Sequence, residues 1–176
     1  VDATCPLVTR VHRSVVKHAE QGRLVVLIGH AGHDEVIGTM GEADGQVVLV
    51  QTVEDVGRLD LPPEAEITYV TQTTLSVDET QAVVAALAAR FPNLVQPAKS
   101  DICYATQNRQ DAVKYLLDEG ATCVIVVGSS NSSNSVRLCE VARRRGAAAL
   151  LVDGPDGVDP ATLGEPRWRN CRASRL

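Results

Sequence analysis

Two of the five cysteines, Cys5 and Cys103, stand where stretches with apolar residues at helical spacing begin. The N–H groups and the dipole at a helix start favour the thiolate form of cysteine, and thiolates are good metal ligands. Two thiolates do not hold a metal alone. A third cysteine, from a further copy of the same unit, would complete three ligands of a four-iron cluster and leave one iron open to a substrate. The alternative is a pair of buried cysteines that only begin helices.

His33 and Glu35 lie in residues 29–35, a glycine-containing segment that we expect to form a loop at a strand end. Glycines there let the backbone approach a ligand closely. A histidine can pair with a phosphate, and a glutamate two residues later can deliver a proton. A solvated surface cluster is the alternative, and His30 is expected to cap or orient the loop.

Ser132, Ser133 and Asn134 belong to a run of seven small polar residues, 129–135, that opens an expected helix at 136–144. Hydroxyls, an amide and the N–H groups of a helix start form an anion site without lysine. Thr73 lies in residues 71–76, which follow an expected strand in the same way. For both segments the alternative is a capped helix start without a ligand.

The remaining cysteines, Cys123, Cys139 and Cys171, are interpreted as structural or incidental. The five cysteines form no C-x-x-C pair, which argues against a disulfide scaffold and a zinc ribbon and favours a reducing cytosol. Neither a Walker loop nor G-x-G-x-x-G is present, so an ordinary nucleotide-binding domain has no local support.

The elements that must position these residues alternate between strands and helices. β-Branched runs predict the strands, and apolar residues at helical spacing predict the helices. In the first part of the chain the predicted strands are 24–28, 46–50 and 67–71, and the predicted helices are 7–19, 53–59 and 77–91. This order is typical of a parallel sheet covered on both faces, with ligands at the carboxyl ends of its strands.

The pattern then occurs again, with a predicted helix at 101–117 and predicted strands at 123–127 and 147–152. Cys5 precedes Gly29 by 24 residues, and Cys103 precedes Gly128 by 25. We therefore predict the α/β class, with two small repeats that present matching strand-end loops. The alternative, that any α/β chain looks self-similar, is weakened by the matched cysteines. The predicted repeats are residues 1–99 and 100–176; the last segment, 165–176, carries four arginines and departs from the pattern.

Composition excludes several classes of protein. With 176 residues, 44% of them hydrophobic, the chain can bury the core of one domain or two small ones. A formal net charge of −5 and only five aromatic residues argue against nucleic-acid binding. The apolar runs fall far short of the roughly 20 residues that span a bilayer, so no membrane partner is expected. The chain begins without methionine or a secretory signal, and we expect a fragment.

Five motifs in order resemble the LytB (IspH) family of 4-hydroxy-3-methylbut-2-enyl diphosphate reductases, over residues 1 to about 153. The motifs are DATCPLVT at 2–9, IGHAGH at 28–33, TQTTLS at 71–76, DICYAT at 101–106 with NRQ at 108–110, and VGSSNSSNS at 127–135. The resemblance implies three α/β repeats around a central [4Fe–4S] cluster, with one cysteine from each repeat. Cys5 and Cys103 match two of these ligands.

The resemblance also implies roles for the other candidate residues. Glu35 matches the glutamate that delivers a proton, and Thr73 matches a catalytic threonine on the substrate side. The matches to groups that bind the substrate diphosphate are His33, Ser132, Ser133 and Asn134. The implied reaction is a reductive dehydroxylation that uses two electrons from ferredoxin or flavodoxin and gives isopentenyl and dimethylallyl diphosphates in the non-mevalonate pathway. The implied location is the cytoplasm, or the plastid stroma in a eukaryote.

Two departures from the family pattern bear on activity. The family's first repeat, with its own cysteine and two histidines, would lie before Val1, and a late serine expected beyond residue 165 is replaced by the arginine-rich segment. A chain with two thiolates is expected to hold a cluster weakly and to be inactive unless another polypeptide completes it. The alternatives are a non-catalytic fragment or pseudoenzyme that keeps a phosphate-binding loop, and a flavodoxin-like electron carrier.

Overall fold

The structure is a computed structural model, and it describes residues 3–97 and 99–159. The arginine-rich segment 165–176, with Cys171 and the position of the expected late serine, lies outside the described residues. In chain order the elements are α1 (Pro6–Glu20), β1 (Leu24–Ile28), α2 (Asp34–Met40), β2 (Val47–Val50), α3 (Val53–Arg58), β3 (Ile67–Thr71), α4 (Val77–Arg90), α5 (Tyr104–Asp118), β4 (Cys123–Val127), α6 (Ser133–Arg144), β5 (Ala148–Val152) and a 3₁₀ turn (Pro155–Gly157). Among the residues described, no helix has the length and apolar character needed to cross a membrane.

The chain divides into two compact units, one that extends to Gln110 and one that begins at Asp111. This boundary falls inside α5, so the segment around Cys103 belongs to the first unit. The predicted repeats, residues 1–99 and 100–176, are defined by the sequence pattern and not by compactness, so their boundary stays a prediction.

The first unit contains a three-stranded parallel sheet in the order β2-β1-β3, with Ile28 paired to both Val50 and Thr71. Successive residues of β1 enter opposite apolar layers, as the pleat of a strand requires. Val25 and Leu27 pack with residues of α1 and α2, whereas Val26 and Ile28 pack with residues of α3 and α4. The predicted parallel sheet with both faces covered is confirmed in this unit.

Capping residues set where α3 and α4 begin, the two helices that pack on the same face of the sheet. The hydroxyl of Ser76 accepts a hydrogen bond from the N–H of Glu79, whose carboxylate accepts one from Ser76 in return. Thr52 and Asp55 form the same reciprocal pair at the start of α3. These capping boxes satisfy N–H groups that a helix start otherwise leaves without partners.

The second unit is built on the parallel pair β4–β5. Val124 and Val126 pack with Cys139 and Ala142 of α6 in one apolar cluster. Side chains on the opposite face of β4 are open to water, with Ile125 42% exposed and Val127 72% exposed. The two faces of this small sheet are therefore covered unequally.

The order helix, strand, helix, strand occurs twice, as α1-β1-α2-β2 and as α5-β4-α6-β5, which is the repeated order that the spacing predicts. Two differences from the prediction bear on the candidate residues. Asp34 and Glu35, expected in a loop, begin α2, a helix that the sequence did not predict, and α6 begins at Ser133 rather than at residue 136. The short α2 carries only Val36 and Thr39 as buried residues, too few to show helical spacing in the sequence.

Gly29 directly follows β1 and Gly128 directly follows β4, and both glycines lie against the helix that comes next. A Cβ atom at Gly29 would lie 2.6 Å from Cγ2 of Val36 in α2, and one at Gly128 would lie 2.3 Å from Oγ of Ser135 in α6. Ordinary carbon contacts are about 3.5–4.0 Å. Both copies therefore need a residue without a side chain where the chain turns from strand to helix.

We predict that Gly29→Ala lowers the free energy of unfolding by about 1–3 kcal/mol, because the added methyl group overpacks the buried contact with Val36. The matched control is Gly57→Ala in α3, where a Cβ would meet no atom within 4 Å. Since alanine favours a helix over glycine, this control is expected to gain about 0.5–1 kcal/mol. Urea denaturation followed by circular dichroism measures both changes; equal effects of the two substitutions would contradict the close contact.

Candidate active site

Thr73 connects the predicted proton donor to the segment that carries a predicted metal ligand. Its backbone N–H donates to Oε1 of Glu35 at 2.7 Å, and its hydroxyl donates to Oε2 of the same carboxylate at 3.0 Å. Its carbonyl oxygen accepts from the N–H of Cys103 at 2.9 Å. Thr73, just after β3, therefore holds two other candidate residues, Glu35 and Cys103, which come from separate segments.

Glu35 is placed by the first turn of α2 rather than by a loop, which corrects the expectation from the sequence. Burial raises the pKa of Glu35 above its ordinary value, and the two hydrogen bonds from Thr73 and the charges of His33 and His12 offset only part of that effect. A carboxyl group that keeps its proton to higher pH suits the role of an acid at near-neutral pH.

His33 is the capping residue of α2. Its Nδ1 accepts a hydrogen bond from the backbone N–H of Glu35 at 3.1 Å. A ring nitrogen that accepts carries no proton, so the neutral ring carries its proton on Nε2. The expected role of His30, to cap or orient the loop, stays a prediction; the residue that caps α2 is His33.

Two glutamine contacts, one buried and one exposed, fix the loop between β1 and α2. Gln72, almost fully buried, accepts from the N–H of His30 through Oε1 at 3.0 Å and donates through Nε2 to Oγ1 of Thr74 at 2.8 Å. Oε1 of Gln51 accepts from the N–H of Ala31 at 2.8 Å. Neither glutamine is predicted from the sequence as a functional residue; the available signal is their position directly after β3 and β2.

Asp101 ties the segment of Cys103 to the sheet and to α1. Its Oδ2 accepts from the N–H of Thr71 at 3.2 Å, and its Oδ1 lies 3.4 Å from Nη2 of Arg10. Arg10 also donates to the carbonyl oxygen of Ser100 at 2.7 Å. Burial raises the pKa of Asp101, and the hydrogen bond from Thr71 and the charge of Arg10 oppose this effect. The sequence does not predict these contacts, because Thr71 and Asp101 stand out only as members of motifs and Arg10 lies outside them.

Cys5 and Cys103 are candidates for metal ligands. Cys5 is exposed at the position before α1 and makes no side-chain capping bond, and Cys103 is half-buried directly before α5. Arg10, in the second turn of α1, contacts Ser100 and Asp101, so the beginning of α1 lies near the segment that carries Cys103. The N–H of Cys103 is bonded to Thr73, just after β3. Both are thiols, the usual ligand type of iron–sulfur clusters, so this donor set fits two of three cluster ligands. Within residues 3–97 and 99–159, no group of three or more His, Cys, Asp or Glu side chains is close enough to hold a metal.

Ser132, Ser133 and Asn134 belong to the second unit. Ser132 stands at the cap position of α6, and Ser133 and Asn134 lie in its first turn. The side chain of Ser132 makes no capping bond; its oxygen accepts instead from the hydroxyl of Ser135 at 3.3 Å. The structure thus brings His33, Glu35, Thr73 and Cys103 together in the first unit, and it places these three residues at one helix start of the second.

The two other described cysteines take no part in these arrangements. Cys139 is buried in the apolar cluster of the second unit, where burial raises the pKa of its thiol. Cys123 is half-buried in β4. Both positions agree with a structural role.

The profile of the LytB protein family matches residues 1–169. The chain belongs to the LytB family. The family assignment expected from the five motifs is thereby confirmed. The parallel sheets and their helices confirm the expected α/β class.

Individual LytB-family proteins are similar over nearly the whole chain. The 4-hydroxy-3-methylbut-2-enyl diphosphate reductase of Bordetella pertussis is 60% identical over 162 residues, which are 92% of this chain and 50% of that protein. The reductase of the same name from Chromobacterium violaceum is 57% identical over 167 residues, 95% of this chain and 51% of that protein. The chain spans about half the length of the curated relatives it matches.

Solved LytB-family structures share the fold. The structure of the E-1-hydroxy-2-methyl-but-2-enyl-4-diphosphate reductase from Plasmodium falciparum superposes with a TM-score of 0.89 and 39% identity, covering 94% of this chain and 52% of that one. A second structure, of (E)-4-hydroxy-3-methyl-but-2-enyl diphosphate reductase, the terminal enzyme of the non-mevalonate pathway, gives a TM-score of 0.57 and 32% identity over 92% of this chain and 57% of that one.

The half-buried carboxyl of Glu35 predicts that the stability of this LytB-family chain depends on pH. Because the pKa of Glu35 is higher in the folded chain than in the unfolded chain, the folded state holds the proton more tightly, and stability falls as pH rises through the interval between the two values. Glu35→Gln cannot ionise, and its amide can accept from the N–H and donate to the hydroxyl of Thr73. We therefore expect this variant to be more stable than the wild type at neutral pH, with the advantage lost below about pH 4.

Chemical denaturation at a series of pH values measures that difference. The control is Glu54→Gln, which changes an exposed carboxylate in α3 and is expected to leave the pH dependence unchanged. Parallel stability curves for the wild type and Glu35→Gln from acid to neutral pH would contradict the assignment.

Proposed function

We propose that this chain acts as part of a 4-hydroxy-3-methylbut-2-enyl diphosphate reductase, an oxidoreductase of the non-mevalonate isoprenoid pathway. The observation that carries the proposal is the set of hydrogen bonds around Thr73, which joins a half-buried carboxyl with a raised pKa to the backbone of Cys103. The names of the similar proteins from Bordetella and Chromobacterium support the same reaction.

In this proposal Cys5 and Cys103 hold two positions of a [4Fe–4S] cluster, and a third thiolate comes from outside the described residues. When bound, the cluster supplies electrons and a Lewis-acidic iron. The electron donor is ferredoxin or flavodoxin, and the location is the cytoplasm or, in a eukaryote, the plastid stroma. Exposed Cys5 and half-buried Cys103 are both accessible enough to accept a ligand.

Glu35 and Thr73 move the proton. The overall reaction consumes two electrons and two protons and releases the allylic hydroxyl as water, so a poor leaving group must gain a proton as its C–O bond breaks. When Glu35 is protonated, its Oε2–H donates to the hydroxyl oxygen of Thr73, and the hydroxyl proton of Thr73 becomes available to the leaving group. The distance of 3.0 Å between these two oxygens suits such a transfer.

Diphosphate binding is assigned to Ser132, Ser133 and Asn134, with a further contact from His33. Two hydroxyls and an amide at the start of α6 offer donors to phosphate oxygens, and the helix dipole adds to this attraction. His33 would contribute its Nε2–H, because its Nδ1 accepts the hydrogen bond that begins α2. An anchored diphosphate would hold the allylic carbons in place for reduction.

A chimeric enzyme tests the proposal. The corresponding segment of the Bordetella pertussis relative is replaced by this chain, and the product is reconstituted anaerobically with iron and sulfide. We expect a brown protein that converts the diphosphate substrate to isopentenyl and dimethylallyl diphosphates with reduced ferredoxin. A brown protein without conversion would favour a chain that only binds phosphate, and a colourless protein that binds flavin tightly would favour an electron carrier.

Glu35→Gln in this chimera is expected to lower turnover at least about 100-fold while the visible absorbance of the cluster remains, because the variant keeps its hydrogen bonds but has no acidic proton. Glu54→Gln serves as the control with unchanged turnover. Loss of the absorbance together with normal proton delivery would contradict the assigned role.

Ser132→Ala with Asn134→Ala is expected to weaken binding of the diphosphate substrate by about 10- to 100-fold, because a hydroxyl and an amide donor to phosphate are removed. Isothermal titration calorimetry on the chain itself measures the dissociation constant of the diphosphate substrate. Ser129→Ala, in the same polar run but before the helix, is the matched control. Equal affinity of the double variant and the wild type would place the anion site elsewhere.

A further inference from the structure

The side chain of Arg10 links α1 to the segment before α5. Its Nη2 donates to the carbonyl oxygen of Ser100 at 2.7 Å and lies 3.4 Å from Oδ1 of Asp101. These partners are 90 and 91 residues away along the chain, so only the fold brings them together. Because the side chain of Asp101 is 7% exposed, its carboxylate has lost most of its water, and the guanidinium of Arg10 replaces part of that hydration.

The Asp101 end of this link is fixed to the end of β3. Oδ2 of Asp101 accepts from the N–H of Thr71, the last residue of the strand, at 3.2 Å. Two residues after Asp101, the N–H of Cys103 donates to the carbonyl oxygen of Thr73 at 2.9 Å. The short segment that ends at Cys103 is therefore bonded at both ends to the chain around the end of β3, which sets the position of the Cys103 backbone.

The Arg10 end of the link is fixed to Cys5 through α1. The carbonyl oxygen of Cys5 accepts from the N–H of Thr9 at 3.0 Å, which closes the first turn of the helix, and Arg10 is the next residue. Val11 and Val15 of the same helix are fully buried in the apolar layer that includes β1, so α1 is held against the sheet. The position of the Cys5 backbone thus follows from the placement of α1.

We propose that Arg10 and Asp101 are positioning residues that hold the thiols of Cys5 and Cys103 at the spacing of two cluster ligands before any cluster is bound. This inference rests on the proposed function, in which both cysteines bind the same cluster. Folding orders the two segments in advance, so cluster binding does not have to supply the entropy cost of ordering them. The ligands that such a site takes are thiophilic ions or clusters that bond to two sulfur atoms at once.

An arginine suits this role better than a lysine. The planar guanidinium holds its N–H bonds in fixed directions, and here its partners are a backbone oxygen and a carboxylate. Arg10→Lys keeps the charge and loses these directions, so it separates the geometric effect from the electrostatic one. Asp101→Asn removes the charge instead, while its amide oxygen can still accept from the N–H of Thr71.

Binding of phenylarsine oxide to the reduced full chain tests the spacing of the two thiols without cluster or substrate. This arsenical forms two As–S bonds with a pair of neighbouring thiols, and its oxygen leaves as water with the two thiol protons. The reference chain carries Cys123→Ser and Cys171→Ser, which leaves Cys5, Cys103 and the buried Cys139. We expect the reference chain to bind the arsenical in the presence of excess monothiol, and Cys5→Ser and Cys103→Ser each to abolish this binding. A reference chain that does not bind would overturn the proposal.

Substitutions in the link measure its contribution to arsenical binding. Arg10→Gln and Asp101→Asn are expected to weaken binding at least about 10-fold and Arg10→Lys by less, and the double variant is expected to match Arg10→Gln because both residues act through one contact. The matched control is Arg90→Gln, which removes an arginine whose Nη2 ties α4 to the carbonyl oxygen of Leu59 at 2.6 Å. Urea denaturation of every variant measures the loss of stability separately. Binding at the reference level in Arg10→Gln, or an equal loss in Arg90→Gln, would overturn the proposal.

Cluster retention in the chimeric enzyme distinguishes this inference from the proposed function. The visible absorbance is followed after addition of an iron chelator, and Arg10→Lys and Asp101→Asn are expected to lose it about 10-fold faster, with little change in KM for the diphosphate. Glu35→Gln, which leaves both cysteine segments in place, is expected to decay at the unsubstituted rate. Unchanged decay in the Arg10 and Asp101 variants would refute the positioning role even in a fully active chimera. An unsubstituted chimera that holds its cluster without converting the substrate would refute the proposed function and leave the arsenical result standing.

Discussion

The arrangement of the first unit depends on the three hydrogen bonds of Thr73. A buried carboxylate loses its hydration, and it is tolerated only where donors replace the lost water. Thr73 supplies two such donors to Glu35, from its backbone and from its hydroxyl, and uses its carbonyl to hold Cys103. The hydrogen bonds of Thr73 thereby replace the lost hydration of Glu35. The same threonine also sets the position of Glu35 relative to Cys103.

The surrounding elements serve to bring these three segments to one edge of the sheet. Parallel strands end at a common edge, so the loops after β1, β2 and β3 meet there. Gln72 joins the loop after β1 to the end of β3, and Asp101 joins α1, β3 and the segment before α5. Gly29 lets α2 begin close to the sheet, which moves Glu35 within reach of Thr73. Each contact limits the freedom of a loop that would otherwise vary in position.

Patterns within short stretches of sequence explain why the strands and the long helices could be predicted. The strands carry β-branched runs, and the long helices carry apolar residues at helical spacing, so their existence follows from short stretches of chain. The seven-residue α2 has too few buried positions for such a pattern, and Glu35 was therefore expected in a loop. The partners of Asp101 and Gln72 lie 30 and 42 residues away in the sequence, and Ser100 lies 90 residues away from Arg10. Only the folded chain reveals such pairs.

The two-stranded sheet of the second unit has one face exposed to water, and this has a practical consequence for handling the chain. A two-stranded sheet is marginal by itself, and Ile125 and Val127 present branched apolar side chains to water on its uncovered face. Burying this surface is favourable whichever molecule provides the cover, including another chain in a concentrated preparation. Dilution, low temperature and a mild detergent are therefore the conditions that should keep purified material from aggregating.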